Sequence, residues 1–375
     1  MPWGATLRSA LAKIFPNSGF KALRPARIEA LYYPTWFAHS EIQAKTWFSS
    51  DSDSEDSQIE NAIVQLNDLY LPGFGMDFGR VLVREPPSDA AYARPFGHDL
   101  THQYDSDVIC LPFNITPFDL LHKAHDLSYK QATLNNDVRF DPGSLKINLA
   151  AAYPVLLPVY VAQYHPPRPW SPVTIILPAY DKPGAHYTHI TNPSGSTGDK
   201  PRLVIERYMG DDDYHGSFWA PEEADMSAHV VSPRPHRAAS EALSSWLQNK
   251  LQERNAPLSM VSGQTVDMDD LRVREWTEQE VAPVRSWMRL GEKLSQMKTM
   301  MKMLSGVKMD QVTIVNLGTK PDHAPDEKTL AAGLEGFKKA EAEKLRKLEE
   351  SRDELTPQWW RQWEESQTAR QAGRH

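Results

Sequence analysis

Apolar and polar positions alternate with period two over residues 35–47. Trp36, Ala38, Ser40, Ile42 and Ala44 fall on one side, and Phe37, His39, Glu41, Gln43 and Lys45 on the other. That pattern predicts a strand with one apolar and one polar face. Residues 80–84, 107–113, 153–164, 173–180, 202–208 and 311–316 are further candidate strands. Those at 153–164 and 173–180 flank Pro166, Pro167, Pro169 and Pro172, which predicts a hairpin with a stiff loop. Helical spacing takes over at 116–129, where Thr116 is placed to cap and Pro117 to open the first turn. It recurs at 238–254 and at 268–304, the last with a possible kink at Pro283. In that segment Trp287, Leu290, Leu294, Met297, Met301 and Leu304 form a narrow seam, widened by Met288, Met300 and Met303. Methionine repacks readily, and the seam is expected to lie on the protein's own sheet.

Residues 328–355 are dense in Ala, Glu, Lys, Leu and Arg. Glu335–Lys339, Glu343–Lys347 and Arg346–Glu350 are spaced to support an exposed helix. Its apolar seam is broken at Glu341, so the helix is marginal alone and gains from a partner. Leu345, Leu348, Trp359, Trp360 and Trp363 are the candidate partner-binding residues, since tryptophan is favoured at binding hot spots. On this reading residues from 328 onward are dispensable for folding; the alternative is that the tryptophans fold back on the domain. The sequence thus predicts an α+β fold: an antiparallel or mixed sheet domain at 28–316, followed at 317–375 by a charged, coiled-coil-like helical tail, partly disordered.

Composition narrows the picture. The 375 residues are 40% hydrophobic, enough for a sizeable core, and the net charge is -8. An acidic chain does not attract phosphate backbones overall, so DNA is not an expected partner. The single cysteine, Cys110, excludes an intrachain disulfide. Its apolar neighbours predict a buried side chain. No Asp, Glu, Lys or Arg occurs between Lys146 and Arg168, but Pro154 and Pro158 argue for a buried strand rather than a membrane span. The first 28 residues hold Arg8, Lys13, Lys21, Arg24 and Arg27 and no acid, with Trp3, Leu7, Leu11 and Ile14 on one helical stripe. A mitochondrial transit segment at 1–27 has this character, as does an ordinary amphipathic helix.

Chemical signatures are sparse. There is no phosphate loop, dinucleotide fingerprint, nucleophile elbow or His-Glu-x-x-His motif. The spacings His98–His102 and His122–His125 could each bring two imidazoles to one metal ion, and these four are weak metal candidates. No catalytic residue and no cofactor is expected.

Three segments carry a resemblance: Tyr32-Tyr33-Pro34-Thr35-Trp36, the run from Cys110 to Pro117, and the run from Ala152 to Tyr164 with its Tyr-Pro-Val-Leu-Leu-Pro-Val-Tyr-Val-Ala-Gln-Tyr core. Over residues 27–180 the chain resembles a family of fungal proteins of uncharacterised activity. The resemblance implies a mitochondrial location and supplies no catalytic residue. The leading expectation is a non-enzymatic mitochondrial protein, in the matrix or at the inner membrane, acting through protein contacts in assembly or as a scaffold. Peripheral contact with the inner membrane fits that expectation, and a cytoplasmic location is the alternative. A metal-assisted hydrolase using the histidine pairs and an RNA-associated mitochondrial factor are the competing readings.

Overall fold

The computed structural model describes residues 24–48, 58–75, 82, 94–103, 106–118, 124–128, 130–133, 138–165, 173–180, 186–190, 204–208, 228–231, 266–306 and 327–373. Strands come first: β1 (Arg27–Phe48), β2 (Gln58–Pro72), β3 (His102–Gln103), β4 (Ser106–Asp107), β5 (Ile109–Cys110), β6 (Val138–Phe140), β7 (Lys146–Tyr164), β8 (Val173–Pro178), β9 (His186–Ile190), β10 (Val204–Tyr208) and β11 (Ala228–Val231). Helices α1 (Glu278–Gly306), α2 (Glu327–Glu354) and α3 (Gln358–Ala372) follow. The fold is α+β, with a largely antiparallel sheet and a helical carboxyl-terminal part.

Two compact units divide the chain. The first takes residues 1–35, 72–114 and 155–224; the second takes 36–71, 115–154 and 225–375. β1 and β7 contribute residues to both.

In the first unit β8 pairs with β7 from Tyr164↔Val173 to Val159↔Pro178, so the expected hairpin across the proline-rich connection is present. β9 and β10 extend it by antiparallel pairing. Alternation sends Leu31 and Tyr33 of β1 and Leu157 and Val159 of β7 to one face, where they pack with Leu82 and Ile176. Phe74, Leu111, Val155, Val161 and Tyr180 close that core. The Tyr33 hydroxyl donates to the Phe74 carbonyl at 2.5 Å, which satisfies the one polar atom the ring carries inward. Pro158 removes one N–H from β7 but keeps its acceptor, which takes the Ala179 N–H at 2.9 Å.

In the second unit β11 pairs with β2 (Leu66↔Ala228) and β6 with the end of β1 (Thr46↔Phe140), both antiparallel. Trp36, Leu66, Leu149, Tyr153, Val281, Val284, Met288 and Trp360 are all buried. Trp36 donates its indole N–H to the Ile115 carbonyl at 2.7 Å.

Several expectations are corrected. The polar face of β1 is not solvated: His39 and Glu41 are buried, and only Lys45 of that series is exposed. Helical spacing at 268–304 starts too early. Asp267 and Asp270 side chains accept the backbone N–H groups of Asp269 and Arg272, which holds the segment in turns. Val273 then bridges Ala152 of β7 in parallel, and α1 begins only after Thr277, whose carbonyl accepts from Glu280 and Val281. Residues 116–118 form a turn rather than a first helical turn, and Ala124 and His125 alone of that segment are helical among the described residues. Cys110 is exposed, in the two-residue strand β5. The candidate elements at 80–84, 238–254 and 311–316 lie, apart from Leu82, outside the described residues.

The helices behave as their spacing predicts, with one shift of partner. Arg346 binds Glu350 at 2.6 Å and Glu343 at 2.8 Å, while Glu335 takes Lys338 rather than Lys339. In α1 the most deeply buried stripe is Val281, Val284, Met288, Ser295 and Thr299, flanked by Trp287 and Leu294. It lies one position aside from the methionine seam. Among the described residues no helix is long and apolar enough to cross a membrane, and residues 146–164 form the strand β7.

Candidate functional site

The first unit carries an exposed apolar patch centred on Tyr32. The 3-10 turn His98–Thr101 and the β3–β4 pair hold its frame. Leu100 is buried and donates its N–H to Gly97, and Val108 donates to Thr101, which delivers the chain into β5. β5 runs parallel to β1, with Cys110 opposite Tyr32 and Ile109 opposite Leu31. Ile28 and Tyr32 share the face of β1 opposite the core. The Phe96 ring meets Tyr32 edge-on, centroids 5.8 Å apart. Ile28, Phe96, Ile109 and Tyr160 are between 42% and 62% exposed, four of the seven large apolar residues found exposed among the described ones. Burial raises the Tyr32 hydroxyl pKa; Arg94 works against this, and Cys110, Asp99 and Tyr160 reinforce it. Those causes place Arg94 and Asp99 within electrostatic reach of the ring. Elsewhere in the unit Arg27 pairs with Glu29, and His102 bonds Asp107 at 2.9 Å.

The second unit has the opposite character at its centre. Glu41 is fully buried. Its carboxylate accepts from Gln65 at 2.8 Å, Asn148 at 3.0 Å and Arg352 at 2.5 Å. The Arg352 guanidinium lies 3.6 Å over the Trp287 ring and also donates to the Trp287 carbonyl. Gly291 makes this approach possible: a Cβ there would sit 2.5 Å from Arg352 and 2.7 Å from Glu41. Nearby, His39 packs edge-on against Phe37 and Tyr153, and Trp276 stacks on Phe37 at 4.8 Å. Burial pushes the His39 pKa down to about 4. Burial likewise pushes the Tyr70 hydroxyl up to about 12 and raises Tyr153.

The residues singled out from the sequence fall as follows. His98 and His102 are both exposed, and His102 is engaged with Asp107. His125 is exposed, and His122 lies outside the described residues. Among the described residues no three His, Cys, Asp or Glu side chains gather as a metal site would require. Leu345 and Leu348 are half-buried on the α2 stripe that also carries Glu341 and Arg352. Trp360 is 1% exposed, in contact with Trp359 and stacked on Trp363 at 4.5 Å. Arg272, held by Asp270, lies over both Trp363 and Phe118, and Arg274 lies over Trp359. The tryptophans therefore sit within the protein's own second unit. The sequence reading missed the Tyr32 patch. The signal available was the run of apolar residues at even positions of β7, which a strand buried on one face does not need.

No family model, no curated protein and no solved structure matches this chain.

Proposed function

We propose that the chain is a non-enzymatic protein that works by protein contact, as a scaffold or assembly element, and that the Tyr32 patch is its contact surface. One observation carries the reading: Ile28, Phe96 and Tyr160 stand exposed on the face of a single buried ring, Tyr32. Contiguous exposed apolar surface of this kind marks interaction sites. The rim favours a protein over a membrane. It mixes signs, with Arg94 and Asp99, as the polar rim of a protein interface does, whereas an anionic lipid surface calls for a basic one. Two tyrosine hydroxyls add hydrogen-bonding capacity to an apolar surface. A mitochondrial location belongs to the same proposal and rests on the acid-free basic start of the chain; residues 1–28 fused to a reporter test it directly.

A photo-crosslinking side chain at position 160 tests the contact. In the native cell it should capture a discrete protein, and a second probe at Lys339, exposed on α2, should not capture the same one. Ile28→Glu should abolish the capture without changing the melting temperature. Capture of lipid alone, or identical products from both positions, would sink the proposal.

A further inference from the structure

The second unit contains a buried histidine whose surroundings give it two states. The His39 side chain is 1% exposed. Its Nδ1 faces the backbone N–H of Asp68 at 3.4 Å and can only accept there. The neutral ring therefore carries its proton on Nε2, which makes no hydrogen bond of normal geometry among the described residues. The nearest carboxylate oxygen, Asp68 Oδ1, is 3.8 Å from Nε2. That same oxygen accepts from Arg285 of α1 at 2.8 Å. Asp68 itself is held at φ 52°, in the left-handed region that Asp and Asn tolerate better than most side chains.

Taking a proton from solvent upsets each of these contacts. The proton enters at Nδ1 and sets two donors against each other across 3.4 Å. The imidazolium then needs an anion, and among the described residues Asp68 is the carboxylate beside it. Other groups facing the pocket offer no second anion. From β2, the Asn67 side chain bonds the ring and favours its charged form but carries no charge, and Tyr70 keeps its proton; from β7, Tyr153 does the same. Glu280 of α1 is committed to Arg274 through two bonds of 2.8 Å.

We propose that His39, Asp68 and Arg285 form a proton-driven exchange: on protonation of the ring, the Asp68 carboxylate leaves Arg285 for His39, and α1 loses one of its ties to β2, the bond from Gln65 to the Met288 carbonyl remaining. Arg285 then loses that carboxylate, and the left-handed residue that carries it is released from its backbone bond to the ring. Burial and the Arg285 charge both resist ring protonation, with the Asp68 charge opposing them, so the exchange falls in mildly to moderately acidic solution.

Nuclear magnetic resonance of the His39 ring in the full chain tests this, read beside amide exchange over residues 281–289. The ring should stay neutral through the ordinary histidine range. Arg285→Gln should raise its midpoint and Asp68→Asn lower it, each by roughly one unit. Both sites are partly solvent-exposed and Asn suits the left-handed backbone, so these variants remain folded. Amide exchange in 281–289 should accelerate over the same pH range as ring protonation, and His39→Gln should remove that acceleration. A midpoint near 6.5 that neither variant moves would overturn the exchange. So would acceleration that persists in His39→Gln, or ring protonation with no change in exchange; should His39→Gln not fold, the two other variants still decide.

Discussion

The Tyr32 patch and the Glu41 centre use the two faces of one kind of strand in contrary ways. Around Tyr32 apolar side chains face outward and their polar groups lie at the rim. Around Glu41 a full charge lies inside, with every oxygen matched to a donor from another element. Surface apolarity that adds nothing to the fold is what the proposed contact would use. A buried ion pair is a poor source of net stability but is costly to break, so it fixes which helix residue meets which strand residue. The patch is therefore where changes should affect binding without stability, and the centre is where they should affect stability above all.

The largest separation should come from removing residues 327–373. That deletion strips Arg352 from Glu41 and Trp360 from the second unit, and thermal unfolding should show a substantial fall in melting temperature. The single change Glu41→Ala leaves Arg352 without its carboxylate and should cost about 3–5 kcal/mol in denaturant unfolding. Acid gives the next effect. Above the ordinary histidine pKa of 6.5, His39 is neutral both folded and unfolded, and contributes no pH dependence. As pH falls below 6.5 the unfolded chain takes the proton first, so stability drops until the folded ring also protonates near 4. The loss is on the order of 3 kcal/mol, and a pH series of unfolding curves with His39→Gln as control measures it. Gly291→Ala should cost about 1–3 kcal/mol by driving a methyl group into Arg352 and Glu41. Least of all, Tyr160→Ser should alter stability by no more than about 0.5 kcal/mol while abolishing the proposed contact.

Local patterns were readable from sequence and long-range ones were not. The β7–β8 hairpin follows from apolar runs broken by prolines, all within one short stretch. The helices α1 and α2 follow from spacing and charge pairing within four residues, whereas α3 carries no such spacing and the polar context of its tryptophans suggests a mobile end. The burial of Glu41 does not, because its main partner is 311 residues away. Glu341 looks like a break in the α2 seam, yet it is buried there and pairs with Lys344 three residues on. Cys110 was misjudged from its neighbours' hydrophobicity, which says nothing about a strand two residues long. Tryptophans at 359, 360 and 363 allowed two readings, docking outward or inward; cation–π stacking on Arg272 and Arg274 favours inward, and neither arginine is near them in sequence.

The link between Glu41 and Arg352 also sets a schedule. A ribosome adds about 5–20 residues per second, so 311 residues of separation amount to roughly 15–60 s between the appearance of the carboxylate and that of its guanidinium partner. Throughout that interval the nascent chain holds a charged strand position that cannot be buried without penalty, which keeps the second unit open while the β7–β8 hairpin, whose paired residues lie close in sequence, is free to form. Completion of the second unit is thus tied to translation of α2, and a chain interrupted before residue 352 retains a solvated Glu41 and an uncovered sheet that chaperones and proteases can recognise.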